Sequence, residues 1–185
     1  EQDFLDAVAA GYEALSPAAI HAIKVRVIDT LGALIGGFFG EPCRISRNLA
    51  AQMPNPAGAT VVGTRIKTTP DMAAFANATA ARYVEANDVY HWPGSSVGHP
   101  SDVLMPTLAA AEHVQVSGRE FITCSLLAYE VYLRICDAIR TPGFDAANFS
   151  CLGSAIAAGK LFGLSEDQLS HCISMAAVPN VILKQ

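Results

Sequence analysis

An all-α fold of seven or eight helices, with at most one small β-hairpin, is predicted by three features of the 185-residue chain. Apolar residues recur at spacings of three and four through most of its length. Ser-Pro, Thr-Pro and Ser-x-x-Glu/Gln start signals punctuate it. Only one short segment is rich in β-branched residues. With 51% of residues hydrophobic and 16% charged, the chain is not disordered and requires wide buried surfaces. Its length suits one core, and it contains no internal linker, repeat or low-complexity tract.

Residues 2–14 read as a short amphipathic helix with Phe4, Leu5, Val8 and Tyr12 on one face. Ser16-Pro17 opens a longer one, to about Phe38, with Ser as N-cap and Pro at the first helical position. The glycines at its end (Gly32, Gly36, Gly37, Gly40) each cost about 1 kcal/mol against Ala inside a helix. They point to close approach of another backbone, from an internal helix or a partner subunit. A third helix spans about Arg44–Gln52 and ends at the loop Pro54-Asn55-Pro56. Ala59–Ile66 is the strand-like piece, a hairpin or extended connector.

Thr69-Pro70 starts the next helix, expected to reach Asp88 with Met72, Phe75, Ala76, Thr79 and Tyr83 as its core stripe. Another begins at His99–Asp102, with Ser101 as cap and Pro106 in its first turns. Ser117 with Glu120 forms a capping box for a long helix over 119–140. The loop Thr141-Pro142-Gly143 leads to an Ala/Gly-rich helix over 148–162, and Ser165 with Gln168 caps the last, to Val178. The apolar run Val178–Gln185 has no stop signal and reads as a chain cut in mid-protein.

A net charge of −5 and the lack of any Lys/Arg cluster argue against nucleic acid. The five cysteines (Cys43, Cys124, Cys136, Cys151, Cys172) show no Cys-x-x-Cys spacing, so neither a metal centre nor a disulfide framework is expected. They read as small buried hydrophobes in a reducing compartment. The acidic start Glu1-Gln2-Asp3 carries no signal pattern, and charges interrupt every long apolar stretch. A cytoplasmic protein without a membrane span is the expectation.

Polar chemistry concentrates in Arg82–Asp102, RYVEANDVYHWPGSSVGHPSD, between two apolar helical segments. Arg82, Glu85 and Asp88 lie three apart, which on a helix gives one face. Two acids at a helix C-terminus oppose the macrodipole, which weakens the reading of a merely solvated ion-pair face. His99 precedes a helix start, where backbone donors favour an anion, and its imidazole can act as acid or base near neutral pH. An ordinary loop His bonded to a neighbouring carbonyl fits the same pattern. His91 and His99 lack the spacing of metal ligands, and no Walker loop, Gly-x-Ser-x-Gly or dinucleotide fingerprint occurs.

The run Arg82-Tyr83-Val84-Glu85-Ala86-Asn87-Asp88-Val89-Tyr90, followed by Gly98-His99-Pro100-Ser101-Asp102, resembles the MmgE/PrpD family, whose pattern here is close to R-x-L-D-F-N-D-T-Y and then G-H-P-S-D. Ile28-Asp29-Thr30-Leu31-Gly32, Ala59-Thr60-Val61-Val62-Gly63, Ala73-Ala74-Phe75-Ala76-Asn77 and Ala158–Leu164 extend the resemblance over nearly the whole chain. It implies residues 1–185 of a helical domain whose remainder, with a smaller lid domain, lies outside this chain. It also implies homodimers that need no cofactor or metal. The implied activity is a hydro-lyase acting on a di- or tricarboxylate such as 2-methylcitrate. The alternatives are an epimerase, isomerase or decarboxylase of a related carboxylate, or an inactive helical assembly domain.

The family's two Asp fall on Glu85 and Asp88, its Thr on Val89 and its His on His99. His99, Asp88 and Glu85 are therefore the expected catalytic group, with Asp88 as partner or orienter of the imidazole. Arg82, Asn87 and Ser101 are the expected substrate contacts. Where decarboxylase-type members carry a second His after a Gly-aromatic pair, Gly143-Phe144 is followed by Asp145, which argues against cis-aconitate decarboxylase.

Overall fold

The computed structural model describes residues 8–94, 96–139, 145 and 147–179. Among them are seven α-helices, two 3-10 turns and one two-stranded sheet. In chain order they run α1 (Pro17–Gly37), α2 (Glu41–Ala50), β1 (Pro54–Thr60), β2 (Lys67–Thr68), α3 (Pro70–Tyr83), α4 (Leu104–His113), α5 (Gly118–Ala138), α6 (Ala147–Leu161) and α7 (Glu166–Ala177). The 3-10 turns are Tyr12–Ala14 and Pro100–Val103. Residues 2–7, the loop at 141–143, Phe144 and the end from 180 onward lie outside the described residues.

Three serine start signals cap as their chemistry requires, whereas Thr69 before α3 makes no side-chain cap bond. Ser16 Oγ accepts from Ala19 N–H, Ser117 Oγ from Glu120 N–H, and Ser165 with Gln168 forms a complete reciprocal capping box. Ser101 is not a cap: the turn before α4 has no side-chain cap, and Ser101 Oγ is buried without a hydrogen bond.

Helix α3 packs between α1, α2 and α4, and α5 packs on α6, which carries α7. The main core joins Ile23 and Leu34 of α1, Val103 to Met105, and Tyr129, Tyr132 and Cys136 of α5. The glycines closing α1 let α3 approach. A Cβ at Gly37 would collide with the Ala80 carbonyl and lie 3.2 Å from Tyr83 Cβ. That close approach turns α3. Its buried face is Ala73, Ala76, Asn77, Ala80 and Ala81, while Phe75 and Tyr83 from the expected stripe are about half exposed. Replacing Gly37 by Ala is expected to cost about 1–3 kcal/mol, because the atoms it meets are backbone and cannot yield without separating the helices. Urea unfolding measures it, and a loss below roughly 0.5 kcal/mol would show that the helices are not held at this distance. The other glycines of α1 differ: Gly32 faces open space, beside exposed Ile28 and Ile35.

The two strands bracket the expected piece Ala59–Ile66. β1 begins at Pro54 and pairs antiparallel with β2, with an irregularity between Pro54 and Ala59. Its end is fixed by buried Asn77, whose Oδ1 accepts from Val62 N–H at 2.9 Å and whose Nδ2 donates to the Thr60 carbonyl at 3.0 Å. The five cysteines are free, and Cys43, Cys124 and Cys136 are buried. Burial pushes the Cys124 thiol up to about 12 and Cys136 up to about 11, consistent with packing rather than reactivity. No helix among the described residues is long and apolar enough to cross a membrane.

Candidate functional site

The site forms where α3 stops. The helix ends at Tyr83, with Val84 as C-cap, and Glu85 takes the left-handed conformation at φ 51°. That backbone is normally left to Gly and costs about 1–3 kcal/mol in other residues. Glu85 and Asp88 therefore do not continue the helical face of Arg82 but lie in the loop beyond it. The reversal folds Glu85 back over the last turn, so that both its carboxylate oxygens meet Arg82 Nη2, at 3.1 and 3.3 Å.

The loop returns through an isolated antiparallel bridge between Tyr90 and Gly98. Tyr90 Oη donates to Asp137 at 2.7 Å, Ser96 N–H to the Cys136 carbonyl at 2.9 Å and Ser96 Oγ to the Ile139 carbonyl at 2.7 Å. These three bonds strap the loop to the C-terminal end of α5 and deliver His99 to the turn before α4.

His99 is fixed by its Nδ1, 2.8 Å from the Asp88 carbonyl oxygen. A carbonyl only accepts, so Nδ1 carries the hydrogen, and in the neutral ring Nε2 holds the lone pair. Nε2 lies 3.7 Å from Glu85 Oε1. The Asp88 carboxylate points elsewhere: Oδ1 accepts from Ser101 N–H at 3.0 Å and Oδ2 from Tyr129 Oη at 3.0 Å. Burial, reinforced by this carboxylate, pushes the Tyr129 phenol far above its ordinary range, so it remains a donor.

Arg82 holds the site together. Nη1 donates to Asn87 Oδ1 at 2.9 Å, Nη2 to Glu85, and Nε lies 3.3 Å from Asp102 Oδ1. The result is a closed circuit from Asp102 through Arg82 and Glu85 to His99, completed by the turn of residues 99–102. A cavity of about 270 Å³ opens beside it, lined by Arg82, Gly98, His99, Asp102, Tyr132 and Asp145 among others. Asp102 Oδ1 is buried without a hydrogen bond. Its pKa is raised to about 6, chiefly by burial, which Arg82 and His99 only partly offset. Tyr132, wholly buried on α5, is also pushed up by burial, and the His99 backbone hydrogen-bonds to it. Asp145 Oδ1 accepts from Ala147 N–H at 2.8 Å, at the start of α6.

Of the expected site residues, His99 and Arg82 line this cavity, and Glu85 stands at its edge against both. Asp88 reaches His99 through its main chain and not its carboxylate. Asn87 is engaged by Arg82. Ser101 contributes its N–H to Asp88. Arg82 divides its donors among protein acceptors and acts as a clip more than as a free substrate fork. Val89, His91 and Trp92 are exposed and do not line the cavity. Three contributors were not among the expected site residues: Asp102, Tyr129 and Tyr132. The two tyrosines, three apart on an apolar helix, carry hydroxyls that need polar partners when buried, and that is the signal that could have found them. No group of three or more His, Cys, Asp or Glu able to hold a metal ion occurs among the described residues.

Residues 2–185 match the model of the MmgE/PrpD N-terminal domain. Similar proteins include a 2-methylcitrate dehydratase-like protein of Aspergillus oryzae, 29% identical over 89% of this chain and 36% of its own length. The 2-methylcitrate dehydratase of Cupriavidus necator is 27% identical over 94% of this chain and 38% of its own. The human cis-aconitate decarboxylase is 27% identical over 88% of this chain and 35% of its own. The chain thus spans little more than a third of the length of these relatives. A match over nearly every residue, together with a helical fold that brings Arg82, His99 and Asp102 to one cavity, supports one conclusion: the chain belongs to the MmgE/PrpD family.

Proposed function

We propose that this chain is the N-terminal part of a cofactor-independent hydro-lyase that removes water from a hydroxylated di- or tricarboxylate such as 2-methylcitrate. The observation that carries the reading is His99: a ring locked by Nδ1 to a carbonyl, with Nε2 beside the cavity and a carboxylate 3.7 Å away. Elimination beside a carboxylate requires a base for the carbon-bound proton, and Nε2 of a neutral His99 is such a base. Glu85 stabilises the imidazolium that results, and Arg82 keeps Glu85 in place. Asp88 orients the ring through its carbonyl and braces the turn through its carboxylate.

The names of relatives from Aspergillus oryzae and Cupriavidus necator support the dehydratase reading and 2-methylcitrate as substrate. The human relative favours a decarboxylase as second reading. Against it, the position where resemblance places a second His in decarboxylases is Asp145, whose Oδ1 is spent on the start of α6. Acids outnumber bases around the cavity, so the cations that bind substrate carboxylates come from the rest of the full-length protein or from a partner subunit of a homodimer. The test is to incubate the full-length protein with 2-methylcitrate and follow absorbance of the unsaturated product. No conversion of this or any related hydroxy-carboxylate would sink the hydro-lyase reading. Carbon dioxide release from cis-aconitate would replace it with the decarboxylase.

A further inference from the structure

Four carboxylates surround His99, and their hydrogen bonds separate them. Asp88 has both oxygens occupied, by Ser101 N–H and by Tyr129 Oη. Glu85 has both oxygens on Arg82, and its side chain is 69% exposed. Asp145 caps the start of α6. Asp102 alone combines a place in the cavity wall with a buried oxygen that has a charge beside it, Arg82 Nε at 3.3 Å, yet no hydrogen bond. A buried carboxylate oxygen without a donor is costly, and such costs persist where a group has work to do.

Resting on the hydro-lyase reading, we infer that Asp102 is the acid of the elimination, the partner to His99 on the same turn of the cavity wall. His99 Nε2 takes the carbon-bound proton, and the electrons of that bond form the carbon-carbon double bond. The carbon-oxygen bond breaks, and the departing hydroxyl takes the proton of the Asp102 carboxyl to leave as water. Asp102 ends ionised and His99 protonated. Return of one proton from imidazolium to carboxylate, through solvent, restores both groups, so no other reactant is required.

The surroundings are arranged for this. Arg82 from α3 and His99 lower the Asp102 pKa, while Asp88 and Glu85 from the loop raise it along with burial. Tyr132 on α5 and Asp145 before α6 complete the wall. A polycarboxylate substrate entering the cavity adds negative charge beside Asp102 and raises its proton affinity further, toward neutral pH. The acid is therefore charged with its proton by the arrival of the substrate it will protonate.

The experiment compares the full-length wild type with Asp102→Asn and Asp102→Glu in the 2-methylcitrate assay between about pH 5 and 9. Asp102→Asn should lower kcat by about 10²–10³-fold with little change in KM, and should abolish the alkaline fall of kcat shown by the wild type. Asp102→Glu should restore part of the rate and the alkaline limb. An active wild type with Asp102→Asn within about tenfold of it overturns this assignment and leaves the hydro-lyase reading intact. A wild type that dehydrates no hydroxy-carboxylate overturns the reading and the assignment together. If neither variant folds, the wild-type profile decides: a kcat that stays flat up to about pH 9 overturns the acid role.

Discussion

Replacing His99 with alanine in the full-length protein is expected to lower kcat for dehydration by about 10²–10⁴-fold while KM changes far less. On the proposed reading the imidazole exchanges a proton only as the carbon-hydrogen bond breaks, so its loss acts on the transition state more than on substrate binding. The substitution should not unfold the protein, because the side chain is 28% exposed and gives up a single hydrogen bond, to the Asp88 carbonyl. A melting curve and circular dichroism of the variant check that point. His99→Gln, which keeps a donor toward the Asp88 carbonyl but has no basic nitrogen, should be as slow as alanine. A loss below about tenfold for both variants would remove His99 from the chemistry. A large loss for alanine alone would mean that the ring's role is to hold the loop.

The helix starts were legible because a cap is a local event: Ser16, Ser117 and Ser165 each bond to backbone three residues on. Helix ends were less so. Arg82, Glu85 and Asp88 stand at helical spacing, but spacing cannot show that Glu85 adopts φ 51° and ends the helix early. The turned face of α3 escaped for a different reason. Periodicity assigns large residues to the core, whereas the Gly37 end of α1 comes so close that α3 turns the small side of Ala80 toward it and leaves Phe75 half exposed. β1 was hidden by two prolines inside a seven-residue strand. At the candidate site, the density of polar residues between apolar helices marked the segment that supplies Arg82, Gly98, His99 and Asp102 to the cavity. Which acid loses its water depends on burial and on partners from α3 and α5, and no local pattern carries that. In the sequence Asp102 therefore stood only as the end of the polar segment and part of a helix start.

That burial sets up the second large effect, a variant that gains stability as it loses activity. In the unfolded chain Asp102 titrates near 3.8, and in the fold near 6. Below about pH 3.8 both states carry the proton, and the carboxyl favours neither. Between 3.8 and 6 the folded state retains a proton that the unfolded state has released, so stability declines as pH rises. Above about 6 the cost is complete and constant. Each tenfold change in acidity corresponds to about 1.4 kcal/mol, which puts the full cost at about 3 kcal/mol. Asp102→Asn keeps the shape, still offers an oxygen to Arg82 Nε and carries no charge to desolvate.

The Asn variant should therefore melt several degrees above the wild type at about pH 7.5, and the two curves should converge toward pH 4. Thermal unfolding at both pH values measures this. A variant less stable than the wild type at pH 7.5 would mean that Asp102 is a structural partner of Arg82 rather than a carboxyl held at a cost. Gain of stability together with loss of turnover cannot come from misfolding, and it is the signature of a group retained for its chemistry.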